Sequence, residues 1–504
     1  MKMSFGPPLC FLIVLLLLSL SLLSVSCRGQ EQENGSSGAP MERREQEALY
    51  SAIQGFVGRW WNGSDLYPDP CGWTPIQGVS CDLYNGSWYV SALNIGPVYE
   101  NSLNCAQDAG FTHHLFELKH LTTLSIYSCF LSPHQSPVRI SSFSWGALSN
   151  TLESVEFRSN PGLVGMIPTS IGSLKHLQSL ILLENGLTGP LPLELGNLIS
   201  LKRLVLSSNG FVGQIPPALG GLSNLLILDC SRNNLSGPLP LTFGGLTTLL
   251  KLDLSNNNLD GSLPRELGNM RNLTLLDLGG NKISGGLIED IQGMVSLKEM
   301  VMSNNPTLRG ELAGIEWTNL EDLEVLDLSN TGLRGHIPES MTQLKRLRFL
   351  GLSDNSLSGT PPPKLASLPC ISALYLNGNN LTGQLDFPGT FFSKMGRRFG
   401  AWNNPSLCHR LPLTPSSSSS SSGADAPFGV RPCSREGNAS SSSNHVGSSL
   451  SIAKISEGRD DLHWDLQVEV SVGCPSRGGD GSWWGSRGKV TMALVGVALI
   501  VVFV

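Results

Sequence analysis

The chain has 504 residues, with 34 Lys and Arg against 40 Asp and Glu, a formal net charge of −6. That balance is small for the length and argues against nucleic-acid binding. Eleven cysteines suit an oxidising compartment, while the absence of any C-x-x-C pair argues against a cysteine-held metal.

Residues 1–26 read as a secretory signal. Lys2 gives the positive start, Leu9 to Leu23 the apolar region, and Ser24-x-Ser26 a small-residue cleavage site before Cys27. Residues 27–46 are polar and expected to be disordered. A cap is expected over 47–105, opening with the helical-looking Glu47-Ala-Leu-Tyr-Ser-Ala-Ile53. It contains Asp69-Pro-Cys71-Gly-Trp73 and Gly78-Val79-x-Cys81. A Cys71–Cys81 disulfide would close the exposed end of a stack, with Cys105 and Cys129 a candidate second pair and Cys408 and Cys433 a C-terminal one. At this level the connectivity stays open.

Between Leu121 and Leu385 one pattern is written eleven times, mostly at 24-residue spacing. Its fullest run is Leu177-x-x-Leu180-x-Leu182-x-x-Asn185-x-Leu187-x-Gly189-x-Leu191-Pro192, and Asn209, Asn233, Asn257 and Asn281 hold the asparagine slot of the next four copies. This is the spacing of a leucine-rich repeat. The leucines alternate as in a short strand, the asparagine amide satisfies backbone groups in the bend, and the glycine and proline turn the chain back. A coil buries four or five apolar side chains worth about 1.5–3 kcal/mol each, while ordering its residues costs about 1.5 kcal/mol apiece. One coil cannot fold alone, so stacking is obligatory. Asn160-Pro161 and Asn305-Pro306 mark one-residue insertions, Thr331 and Cys129 replace the asparagine, and Asn355 and Asn379 restore it. The expected fold is an α/β solenoid over 106–390, a right-handed superhelix of about 11 repeats with a parallel concave sheet and disulfide-capped ends. Cys230 takes a core strand position as a small buried hydrophobe.

A C-terminal cap is expected over 391–412 and a serine- and glycine-rich stalk over 413–489, with an unbroken run from Ser416 to Ser422. The fifteen residues 490–504 are apolar or small, short of the twenty or so that a spanning helix wants. With the small residues Gly478, Gly479, Asp480, Gly481 and Ser482 upstream, they read as a glycolipid-anchor signal rather than a spanning segment. Seven N-x-[ST] sequons, at Asn34, Asn62, Asn85, Asn234, Asn272, Asn380 and Asn438, fit glycosylation in the secretory pathway. The expected location is the outer face of the plasma membrane.

Catalytic patterns are missing. There is no G-x-S-x-G, no H-E-x-x-H and no phosphate loop, so the expectation is a binding protein, not an enzyme, with no cofactor. His113 and His114 are adjacent, with side chains expected to diverge, which suits a surface or cap role better than a metal site. A solenoid binds through the side chains that stand on its concave sheet. Those positions give Tyr127, Arg158, Ile181, Leu183, Arg203, Val205, Arg348, Phe349 and Tyr375 as candidate ligand-binding residues. Ile181, Leu183 and Val205 are expected to form an exposed apolar cluster rimmed by Arg158 and Arg203, the chemistry of a protein or peptide contact. Asp229, Asp253, Asp277 and Asp327 recur in one slot and read as scaffold.

Phe211-Val-Gly213-Gln-Ile215-Pro216 and Leu333-Arg-Gly335-His-Ile337-Pro338 resemble the plant class of leucine-rich repeat. The extracellular layout, with Cys71 to Cys81, His114-Leu-Phe-Glu-Leu-Lys-His-Leu121, Trp145-Gly-Ala-Leu-Ser-Asn150 and Arg158-Ser-Asn-Pro-Gly-Leu163, resembles the plant receptor-like proteins over about 45–410. The resemblance implies a cell-surface protein without a kinase domain. It would bind a peptide, glycan or co-receptor and signal through a partner receptor kinase in plant–microbe interaction, defence or development. The rival is an inhibitor of secreted microbial hydrolases, because polygalacturonase-inhibiting proteins share the repeat class.

Overall fold

Each coil is built from the same pieces, and the one around Leu228 shows why. In the strand Ile227–Asp229, Leu228 is buried while Ile227 and Asp229 stand half-buried on the sheet surface, the two-residue alternation of a strand with one covered face. The chain turns through Arg232, whose φ of 54° is left-handed, and reaches Asn233. A second short strand, Asn234–Gly237, ends at Gly237 with φ 79°. Pro240 then leads into the 3-10 helix Leu241–Gly245, which buries Phe243. A proline there removes no helical hydrogen bond and presets φ.

The computed structural model describes residues 40–97, 104–134, 136–140, 145–410 and 429–433. Among them, eighteen strands join one sheet and five a second. Leu204, Leu228, Leu252, Leu276, Met300, Leu326, Leu350 and Leu374 are parallel register partners in successive coils, so the core is a single spine from Ala48 to Val430. Strands stand about 4.8 Å apart, whereas the opposite side must fit helical turns with their side chains. The sheet therefore lines the concave side.

The asparagines form a ladder through the spine. Asn257 Nδ2 donates to the carbonyls of Cys230, Leu254 and Ser255 at 3.0–3.2 Å, and its Oδ1 accepts the Leu235 amide at 3.0 Å. Where the slot is Thr331, its hydroxyl donates to the Leu328 carbonyl at 2.7 Å and Asn355 Oδ1 accepts the Thr331 amide. Where it is Cys129, the thiol position is used for a disulfide and Asn160 Oδ1 accepts the Cys129 amide.

The ends are closed, with boundaries different from those expected. Residues 43–46 belong not to a disordered lead-in but to the helix Arg43–Val57, because Glu45 is buried there and accepts the Val90 amide. The hairpin Val79–Tyr84 and Ser87–Ile95 passes its second strand onto the parallel sheet, where Asn94 pairs with Ser125. That covers the open edge of the stack. At the other end the stack does not stop at 390: Phe399–Gly400 pairs with Leu374–Tyr375, and Asn404 enters the ladder through the Leu376 and Ala401 carbonyls. Arg431–Pro432, inside the expected stalk, pairs with Cys408–His409. The three candidate disulfides are all formed, Cys71–Cys81, Cys105–Cys129 and Cys408–Cys433, and Cys230 is a buried free thiol.

Among the described residues no helix is long and apolar enough to cross a membrane. The signal over 1–26, the segment 490–504, Asn34 and Asn438 lie outside the described residues. The other five sequon asparagines are exposed. The adjacent histidines do not diverge as expected. Their ring centroids are 3.8 Å apart, because the one-turn helix His113–Glu117 turns Leu115 and Phe116 inward and leaves both imidazoles on its outer side.

Candidate ligand-binding face

Side chains on the concave sheet stand in rows fixed by strand register. One row runs Ser125, Glu156, Ile181, Val205, Asp229, Asp253, Asp277, Val301, Asp327, Gly351, Tyr375, Gly400. A parallel row carries Arg203, Ile227, Lys251, Leu275, Glu299, Val325 and Phe349. Tyr127, Arg158 and Leu183 belong to a third.

At the N-terminal end, Arg158 pairs with Glu156. Burial, and then the Glu156 carboxylate, push the Tyr127 hydroxyl up to about 12. Leu183 and Val205 are half-buried and Arg203 is exposed. Ile181 corrects the expected apolar cluster: it is only 5% exposed, closed in by its register neighbours Glu156 and Val205. The apolar surface left there is half-buried, Leu183 and Val205 with Ile227 beside Arg203.

In the middle the recurring aspartates do two jobs. One oxygen of each is scaffold, as expected: Asp229 Oδ1 accepts the Ser231 amide and hydroxyl at 3.1 and 2.7 Å, and Asp253 does the same for Ser255. The second oxygens of Asp229 and Asp253 hold the Lys251 ammonium at 3.2 and 3.3 Å. Burial alone would lower the Lys251 pKa, but the two carboxylates outweigh it and raise it. Asp277, one coil further, has no cation at this distance among the described residues. Its burial, with the Asp253 carboxylate next to it, pushes it up to about 7 against the Gly279 amide that donates to it.

The C-terminal end is aromatic. Phe349 and Tyr375 have ring centroids 5.9 Å apart. Tyr375 stands between Gly351 and Gly400 in its row. A side chain at Gly400 would lie 2.5 Å from the Trp402 ring, so the glycine lets the indole, 41% exposed, fold against the strand. Arg348 sits one residue before the rows and pairs with Glu324 at 3.4 Å. Trp402 and Gly400 escaped the sequence reading, which took 391–412 for a cap. The signal available was Asn404, which marks one more coil.

The candidate residues therefore fall in two groups. Six coils separate Val205 from Gly351, about 29 Å at the usual strand spacing, and the acidic stretch lies between them. Such a face suits an extended partner with a basic middle and apolar ends, bound without covalent chemistry.

Leucine rich repeat models match residues 223–283 and 321–381, and a further one matches 200–222. Over 172 residues, 34% of the chain, the sequence is 57% identical to Piriformospora indica-insensitive protein 2 of Arabidopsis thaliana. Over 160 residues, 31% of the chain, it is 34% identical to Receptor like protein 29 of the same plant. These matches span 40% and 32% of the two relatives' own lengths. Among solved structures, a TDR receptor superposes on 62% of the chain and 52% of its own, at TM-score 0.53 and 27% identity. PEPR1-AtPEP1 covers 73% of the chain and 52% of its own, at TM-score 0.58 and 26% identity. Coil by coil, the chain is a leucine-rich repeat solenoid, similar in sequence to Piriformospora indica-insensitive protein 2 and Receptor like protein 29 and in fold to plant receptor ectodomains.

Proposed function

We propose that the protein is a cell-surface recognition protein that binds a peptide or protein segment along its concave sheet and signals through a partner receptor kinase. The role is binding rather than catalysis, in plant–microbe interaction, defence or development. The observation that carries this reading is the concave face itself: two apolar-aromatic ends, Leu183 with Val205 and Phe349 with Tyr375, joined by an acidic stretch. The likeness to the TDR receptor and to PEPR1-AtPEP1 supports it. Glycans on Asn234 and Asn380, which open strands of the return side of the coil, would leave the concave rows uncovered. A location on the outer face of the plasma membrane with a glycolipid anchor belongs to the same reading, and release of the protein by a phosphatidylinositol-specific phospholipase checks the anchor.

The test is affinity purification from intact membranes with mass spectrometry. Wild type is compared with Arg203→Glu/Val205→Asp and with Phe349→Ser/Tyr375→Ser. Loss of the same receptor kinases from either variant, at an unchanged unfolding temperature, is the expected result. Retention by both removes the concave face from the reading, and capture of secreted hydrolases in place of kinases would put an inhibitor role first.

A further inference from the structure

Outside the concave face, one side-chain cluster has a geometry that scaffold needs do not explain. The 3-10 helix His113–Glu117 has three residues per turn, so His114 and Glu117 lie one above the other, with His113 beside them. Leu115 and Phe116 face the core, and Phe116 packs edge-on against Trp145 with ring centroids 5.2 Å apart. The turn is therefore fixed from below. Above it, His113 Nε2 lies 3.8 Å and His114 Nδ1 3.5 Å from the two Glu117 oxygens. One ligating atom from each residue falls within 4.8 Å of the others.

We propose that His113, His114 and Glu117 form a surface site for a first-row divalent cation of the zinc class. Two imidazole nitrogens and one carboxylate oxygen select a borderline ion such as Zn2+ or Ni2+. Ca2+ and Mg2+ want a shell of oxygens. Around a tetrahedral zinc with bonds of about 2.0–2.1 Å, ligand atoms sit about 3.3 Å apart. The separations to Glu117 are already close to that, and small rotations of exposed His113 and Glu117 and half-buried His114 close the remainder. Three protein ligands leave a fourth position for water or for a group on a partner. The site lies on the turn that precedes the strand Thr123–Tyr127.

The experiment is a calorimetric titration of the chelator-treated full-length protein with ZnCl2 at pH 7.5. One ion should bind with micromolar affinity. CaCl2 and MgCl2 should give no saturable heat. His113→Ala and His114→Ala should each weaken zinc binding at least tenfold and Glu117→Gln several-fold, while exposed His176→Ala leaves it unchanged. Because the ligating side chains face outward, the unfolding temperature without metal should not move in any variant. Zinc binding untouched by both histidine variants, or absent from the wild type, would overturn the site.

Discussion

Most ladder asparagines answer for four backbone groups, as Asn257 does. Replacing Asn257 with Ala strands the Leu235 amide and takes one donor each from the Cys230, Leu254 and Ser255 carbonyls, which keep Asn233, Asn281 and the Arg232 amide. The amide left unsatisfied costs about 1–3 kcal/mol and the three lost contacts about 0.5–1.5 kcal/mol each, with water entry recovering part, so a net loss of about 3 kcal/mol is expected. A lower urea midpoint checks it, and an unchanged midpoint would mean the ladder is ornamental. Gly213 isolates a different cost. Its φ is 80°, and an added methyl would meet only Pro190 Cβ at 3.9 Å. Gly213→Ala should therefore lower stability by about 1–2 kcal/mol through backbone strain alone. Both roles were legible, since asparagine and glycine recur at fixed spacing. The left-handed turn before the asparagine falls on residues that favour it at Asn256, Gly280, Asn304, Asp354 and Gly378, but on Glu184, Ser208 and Arg232 no local signature marks it. There the ladder imposes the conformation against local preference.

At the scale of elements, the cap helix and the acidic stretch carry the pH response. Burial pushes Glu45 up to about 7, against the Val90 amide that donates to it, and Asp277 reaches about 7 as well. A carboxyl raised above its unfolded value favours the folded state when protonated. That stability is full below about pH 4 and is lost as pH rises through 7. The unfolding temperature should thus fall between pH 5 and pH 8. Glu45→Gln, which keeps the acceptor for Val90, should stabilise the protein by about 1–2 kcal/mol at pH 8 and change little at pH 4. Thermal scans across that range check it, and a variant that loses stability at pH 8 would contradict the burial argument. The core of the helix was legible from Ala48, Leu49, Ala52 and Ile53. Its first turn was not, because a buried glutamate looks in sequence like any polar lead-in residue. The final coil was hidden for a similar reason: Phe399-Gly-Ala-Trp402 lacks the leucines of the repeat, and packing against Phe387 and Phe391 supplies what they would have given.

For the whole molecule, the 24-residue period implied a stack before any coordinate was known, and the register of eight inward leucine-type positions confirms it. The period could not say how surface residues group across coils, because that depends on which row each occupies and what stands beside it. Ile181 is the example: by alternation it faces outward, yet its neighbours bury it. What the stack offers a partner is a face read from both ends, with acid between. Hydroxyl-radical footprinting of the full-length protein, free and bound to its purified partner, reads that face directly. Phe349, Tyr375 and Trp402 should be protected on binding, while exposed Trp73 on the cap stays as reactive as before. Unchanged labelling of those three, with protection instead at Leu193 and Leu241 on the outer helical side, would contradict recognition through the concave sheet.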